Sequence, residues 1–246
     1  CSSYLKHELE MLKKAGFVTK PLLSLGWSFP LGNYAKAEVD QEFKNRIDEL
    51  AQIFQEVLGH HDVYITSWDE APESFMVTMR KFSEYSASKG LKLWVTTHKG
   101  RQFNRAGYVI DYANHGGHMD PEEVAAWHSI GAKVSSYAGP HTGPENPDVF
   151  RRLEGLARYK KNYDGSYNYK LYSQLHPTLY KRQKSNVWND FMDNEFRGFN
   201  LIYPTAGGPI DTLAWEGYRE GIDDVRYATL LKQLADEAMA GDNYKA

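Results

Sequence analysis

The sequence predicts an α/β fold, a (β/α)8 TIM-barrel-like chain, on three observations. Short apolar runs alternate with amphipathic helical segments along its length, the pattern of a parallel sheet with crossover helices. Carboxylate and other polar residues gather at the C-terminal tips of the apolar runs, where such barrels carry their reactive groups. No long repeat, low-complexity tract or obvious linker interrupts the 246 residues, so residues 1–246 read as a single domain.

The elements follow in order. Ser3 to Ala15 reads as a helix, with Leu5, Leu9 and Leu12 at helical spacing and Gly16 as its stop. Pro21 to Trp27 reads as a strand. Ala37 to Leu58 is a long helix whose Val39, Phe43, Ile47, Leu50, Ile53, Phe54 and Val57 form one stripe, ended by Gly59. Val63 to Trp68 is the next strand, and Glu73 to Ser88 is a helix stopped at Gly90. Leu91 to Thr97 and Tyr108 to Tyr112 read as strands. Pro121 to Ile130 is a helix with proline at its first position and Asp120 as N-cap. Lys133 to Tyr137 is a strand, Pro147 to Lys161 a helix capped by Asn146, and Gly165 to Tyr172 a strand. Asn200 to Tyr203 is a short strand, followed by the turn-rich Pro204-Thr205-Ala206-Gly207-Gly208-Pro209. Asp223 to Ala238 is the last helix.

Bulk properties narrow the partners. A net charge of -3 offers no basic surface for nucleic acid or an anionic membrane. No run of 18 apolar residues provides a membrane-spanning helix. The single cysteine excludes an internal disulfide and leaves the redox compartment open. Cys1 as first residue fits a chain that begins within a longer one, with any signal peptide removed upstream, and a lipidated mature terminus is the competing reading. Aromatic residues make up 14% of the chain, with 17 Tyr and 6 Trp. Such rings pack cores, and they also stack on the apolar faces of sugars.

The stretch Ile65-Thr66-Ser67-Trp68-Asp69-Glu70-Ala71-Pro72-Glu73 carries the most information. An apolar strand ends there in two adjacent carboxylates, and Pro72 opens the next helix. Adjacent strand residues point to opposite faces, so Asp69 and Glu70 can share a pocket only beyond the last regular pleat, which the turn before Pro72 permits. Such a pair suits chemistry needing one protonated and one ionised carboxyl, with sugar hydrolysis the leading case. The competing reading makes both plain helix-start charges favoured by the dipole.

Trp68-Asp69-Glu70-Ala71-Pro72 resembles the Asp-Glu-Pro strand end of glycoside hydrolase family 123 and of the related domain-of-unknown-function 4091 proteins, with an alanine here between Glu and Pro. The C-terminal segment from Tyr203-Pro204 through Gly208-Pro209 to Trp215-Glu216-Gly217-Tyr218-Arg219-Glu220-Gly221-Ile222-Asp223-Asp224 resembles that family's Tyr-Pro-Gly loop and its Arg-x-Glu-x-x-Arg-x-Gly-Ile-Glu-Asp helix. Tyr137 to Pro140 and Tyr163-Asp164-Gly165 fall in family-like places, and the likeness runs from about residue 38 onwards.

The resemblance implies a β-hexosaminidase-type barrel with the Asp-Glu pair at the end of its fourth strand. Counted so, strands one and two would lie before Cys1, and the chain would be a C-terminal portion lacking the first strands. It also implies a glycosidase of β-linked N-acetylhexosamine, N-acetylgalactosamine-like, that retains configuration through substrate assistance. Glu70 would be the general acid/base. Asp69 would orient the substrate's own 2-acetamido group, which attacks the anomeric carbon. No cofactor is required. A secreted or periplasmic bacterial setting for polysaccharide degradation fits the family.

Further candidates for substrate contact lie at other tips. Trp68 precedes the pair, and His98 follows the strand Leu91 to Thr97. Asp111, Asn114, His115 and His118 form the densest polar cluster; zinc is a competing reading there, but its two histidines are not ordered on a helix. Tyr137 ends a strand where its hydroxyl could meet an acetamido carbonyl, with Tyr169 and Tyr167 as competitors. Trp188 could floor a sugar subsite, and Glu216 could pair with Arg219 at a pocket rim. The basic run Arg151, Arg152, Arg158, Lys160, Lys161, then Lys181, Arg182 and Lys184, reads as a solvated helix face or as a site for an anionic glycan. Gly207-Gly208 lacks the following Lys-Ser/Thr of a phosphate loop. Two rival functions stay open: a hydrolase of other sugar specificity that uses a second carboxylate such as Asp111, and a non-catalytic glycan-binding barrel.

Overall fold

The computed structural model describes residues 2–17, 22–24, 37–66, 70, 76–97, 103–104, 107–117, 119–137, 145–168, 171 and 200–240; at 2, 22–24, 37–40 and 76–78 it describes backbone alone. The chain divides into two compact units, residues 1–135 and 136–246, each described in turn.

The first unit carries a parallel sheet in chain order. Its strands are β1 (Leu22–Ser24), β2 (Val63–Thr66), β3 (Lys92–Thr97), β4 (Tyr112–His115) and β5 (Lys133–Ser136, whose last residue opens the second unit). β1 pairs with β2, β2 with β3 and β3 with β4, each in parallel. Helices α1 (Ser2–Lys14), α2 (Ala37–Leu58), α3 (Met76–Ser88) and α4 (Pro121–Ser129) precede β1, β2, β3 and β5 in turn. The α/β expectation therefore holds as a curled, parallel five-strand half-barrel.

Side-chain alternation gives the sheet two unlike faces. Val63, Ile65, Leu93, Val95, Ala113 and Val134 are at most 5% exposed and make the apolar face. Crossovers of constant hand put the helices on one face, and α3 packs against β3. The stripe expected on α2 is buried at Phe43, Ile47, Leu50, Ile53 and Phe54, and Phe43 meets Phe82 of α3 with ring centres 4.1 Å apart.

The other face takes Tyr64 and Thr66 of β2, Lys92, Trp94 and Thr96 of β3, Tyr112 and Asn114 of β4, and Ser135 of β5. The Tyr64 and Tyr112 rings meet edge to face at 5.4 Å although β3 runs between their strands. In a flat sheet, alternate strands stand about 10 Å apart. Convergence of the two rings is what a surface curling toward them produces, so the aromatic and polar face is the concave one.

Several element boundaries differ from the sequence expectation. The strand expected at Tyr108 to Tyr112 lies at Tyr112–His115, after a 3-10 turn at Gly107–Val109. The helix expected over Pro147 to Lys161 is two, α5 (Pro147–Glu154) and α6 (Leu156–Lys160), broken at Gly155. The last helix, α7 (Leu213–Ala240), starts ten residues before Asp223, where the residue pattern places it, and takes in the Trp215–Asp224 segment that resembles the family's helix. The expected caps are present: Glu123 accepts from Asp120 N at 3.2 Å, and Asn146 accepts from Val149 N at 3.4 Å.

The second unit is built on a helix crossing. A Cβ placed on Gly217 of α7 would stand 2.1 Å from Pro147 O, and one on Gly221 would stand 2.7 Å from Arg151 O. Only glycine lets these two backbones approach so closely. Arg151 of α5 grips the Asp224 carboxylate with both arms at 2.7 Å, which holds that carboxyl below its ordinary range. The Pro204-to-Pro209 turn segment is the centre of an antiparallel hairpin, β7 (Ile202–Thr205) with β8 (Gly208–Asp211). Within this unit Tyr167 N donates to Ser136 O at 3.0 Å, and β6 is the two-residue strand Gly165–Ser166. Among the described residues, no helix is long and apolar enough to cross a membrane.

Candidate active site

At the C-terminal end of the concave face, polar side chains form one layer. Thr96 and Asn114 are register partners on β3 and β4. Ser135 of β5 donates its hydroxyl hydrogen to Asn114 Oδ1 at 2.7 Å. All three are buried. A buried amide needs partners, and this bond fixes the Asn114 side chain with its NH2 end as the donor it can offer.

Glu70 stands beyond the end of β2 and is exposed. Its φ of 47° is left-handed, a conformation that L side chains avoid at a cost of roughly 1–2 kcal/mol. Its backbone N donates to Thr96 Oγ1 at 2.7 Å. A hydroxyl on the neighbouring strand thus ties the turn that carries the candidate acid. Thr96 was not singled out in the sequence; the available signal was its alternation with Trp94 and Lys92 in a strand ending next to a carboxylate turn.

His115 ends β4 and is buried. Gly117 N donates to its Nδ1 at 3.0 Å, so a neutral ring carries its proton on Nε2. Gly117 of the loop therefore fixes this histidine ring.

Asp111 is placed differently from its expected position. Because β4 begins at Tyr112, Asp111 precedes the strand instead of following one. Its Oδ2 accepts from Leu93 N at 2.7 Å, near the start of β3. Burial pushes this carboxyl up, while the Leu93 bond and the Lys92 charge pull it down. Leu93 and Thr96 are three residues apart, about 10 Å along a strand. Asp111 therefore sits at the opposite end of the sheet from Glu70 and is not a partner for it. Asp111 and His115 mark opposite ends of β4, so these two do not converge on one ion.

Tyr137 and Glu216 belong to the second unit. Tyr137 follows β5 and is half-buried. Glu216, on the first turn of α7, accepts from Arg219 Nη1 at 2.7 Å, with both side chains about half exposed. Trp68, Asp69, His98, His118, Tyr169 and Trp188 lie outside the described residues. Of the basic run, Arg151 is taken by Asp224, and Arg158 is buried beside Glu154 with Nη2 3.5 Å from its carboxylate. Ser166 also donates to Glu154. Burial pushes the Glu154 carboxyl up, against the opposing pull of Arg158 and Ser166.

Among the described residues, the C-terminal end of the concave face thus carries buried hydroxyl, amide and aromatic groups, with Glu70 exposed beyond it. Comparison with known proteins bears on the fold. No family model matches the chain, and no curated protein matches its sequence. Among solved structures it matches one from Clostridium perfringens, reported for glycolipid glycan hydrolysis, at a TM-score of 0.60 and 15% identity. The chain is similar in fold to a family 123 glycoside hydrolase. The match covers 84% of this chain and 37% of that one, so the present chain spans little more than a third of that protein's length. The motif resemblance and the fold likeness point to the same family.

Proposed function

We propose that this chain carries the acid/base site of a glycoside hydrolase that cleaves a β-linked N-acetylhexosamine, N-acetylgalactosamine-like, with retention by substrate assistance. Glu70 protonates the leaving oxygen and then activates water. Asp69 orients the 2-acetamido group, whose oxygen attacks the anomeric carbon in place of a protein nucleophile. The observation that carries the reading is the placement of Glu70: exposed, left-handed, and tied at the tip of a curled parallel sheet whose fold resembles that of a family 123 glycoside hydrolase. The displacement of Asp111 to the far end supports substrate assistance over a second protein carboxylate. Asp69 takes its role from the motif resemblance alone.

The test is release of aglycone from aryl β-glycosides by this chain and by Glu70→Gln. The panel holds N-acetylgalactosaminide, N-acetylglucosaminide and the plain hexosides. Turnover confined to 2-acetamido sugars and lost in the variant is the expected outcome. Turnover on plain hexosides would sink substrate assistance. Binding of these sugars without turnover would replace the enzyme reading with that of a glycan-binding module.

A further inference from the structure

We propose that Thr96 is a positioning residue that holds Glu70 in its left-handed conformation and so aims the carboxylate over the concave face. The inference rests on the reading of Glu70 as the acid/base. Three observations carry it. First, Glu70 and Asn162 are the described non-glycine residues with positive φ, and Asn tolerates that region far better than Glu does. A glutamate persists there only where its surroundings over-determine it. Second, the bond that does so comes from outside its own segment: Glu70 N donates to Thr96 Oγ1 at 2.7 Å, twenty-six residues along the chain and one strand across. Third, Thr96 is itself fixed. It is buried, sits inside β3, and is in register with Asn114, which Ser135 secures in turn.

The chemistry follows from that geometry. A left-handed residue at a strand end turns the chain sharply and redirects its side chain relative to the pleat. Without the Thr96 bond the turn can relax toward ordinary backbone angles, and the carboxylate leaves its position. Misplacing a catalytic group by about 1 Å costs about 10²-fold in rate. The threonine hydroxyl acts in this scheme through the Glu70 amide and not through substrate. Its effect therefore belongs to the chemical step and not to ground-state binding.

The experiment uses two readouts. Thr96→Val keeps the shape and strand propensity of the side chain but removes the acceptor; Thr96→Ser keeps the acceptor. On aryl N-acetyl-β-galactosaminide, Thr96→Val is expected to lower kcat about 10²-fold with KM nearly unchanged, and Thr96→Ser to restore most of it. Glu70→Gln is run alongside. If Glu70→Gln is inactive while Thr96→Val retains full kcat, the positioning role is wrong and the acid/base reading stands. If Glu70→Gln retains turnover, the acid/base reading itself is wrong.

The second readout needs no substrate. Glu70→Gly removes the left-handed strain, so it is expected to raise the urea midpoint in the wild-type background. In the Thr96→Val background, where the turn has already relaxed, it should not. Equal shifts in both backgrounds would overturn the proposal.

Discussion

The strand-tip layer around Glu70 and the helix crossing around Glu154 each hold a glutamate near hydroxyls, yet the two regions are built to opposite ends. Glu154 is 3% exposed, paired with a buried arginine and bonded by Ser166. Its neighbourhood is closed by glycines that let α5 and α7 touch. Glu70 is exposed, in a backbone conformation it does not favour, and its turn is tied through its amide. One arrangement encloses a carboxylate to fix packing. The other keeps a carboxylate accessible and ties the backbone that carries it. The C-terminal motif, the more specific part of the family resemblance, belongs to the first kind: Gly217, Gly221 and Asp224 are crossing and ion-pair residues.

The widest separation between the regions should appear in turnover. Glu70→Gln is expected to lower kcat by about 10²–10⁴-fold, as loss of a general acid does, with the urea midpoint unmoved. Loss of stability in that variant, measured by circular dichroism, would collapse the distinction between the two glutamates.

Arg158→Met tests the closed region from its other partner. It leaves the Glu154 carboxyl buried without a cation and should cost about 3–5 kcal/mol of stability at pH 7. The sign of its pH dependence follows from the raised Glu154 carboxyl. The protonated form is favoured in the folded state, so stability is fully present below the unfolded carboxylate value and is lost as pH rises through the higher folded one. With the arginine gone the folded value climbs further. The deficit of Arg158→Met should therefore shrink when urea titrations are repeated near pH 4. A deficit that grows on acidification would mean that Arg158 does not stabilise the Glu154 carboxylate.

Gly217→Ala should be next in size. Its new methyl would stand 2.1 Å from Pro147 O, a backbone atom that cannot turn aside. Parting the helices is expected to cost about 1–3 kcal/mol, with little change in kcat for the folded fraction. Thermal melts with activity assays at a permissive temperature would check both halves.

The readability of each region in the sequence follows from the same contrast. Helix α2 was legible to both ends because its stripe is long, periodic and closed by Gly59. Strand β4 was misplaced because Tyr112-Ala113-Asn114-His115 carries polar residues into the concave face and the strand end, so the apolar run beside it looked more strand-like. The hairpin was read as a turn because prolines are poor strand residues. In a two-stranded ribbon both strands are edges, and Pro204 can face Pro209 across the pair. The early start of α7 was hidden by Gly217 and Gly221, which lower helix propensity and are present because α5 needs the room. The carboxylate tip was legible from residue types alone. The Thr96 tie was not, because it depends on register between two strands.

Asp111 should show the smallest effect, and it discriminates between mechanisms for that reason. Its carboxylate accepts one backbone bond, from Leu93 N, at the end of the sheet away from Glu70. An asparagine can accept the same bond with its amide oxygen, and the carboxyl it replaces is already pushed toward the neutral form by burial. Asp111→Asn is therefore expected to cost under about 1 kcal/mol in urea unfolding and to leave kcat unchanged. A hydrolase that used Asp111 as nucleophile or base would instead lose turnover by orders of magnitude in this variant. That result would require the two ends of β3 to act on one substrate across about 10 Å, which the geometry opposes. An unchanged kcat would leave the substrate's own acetamido oxygen as the nucleophile most consistent with the sheet.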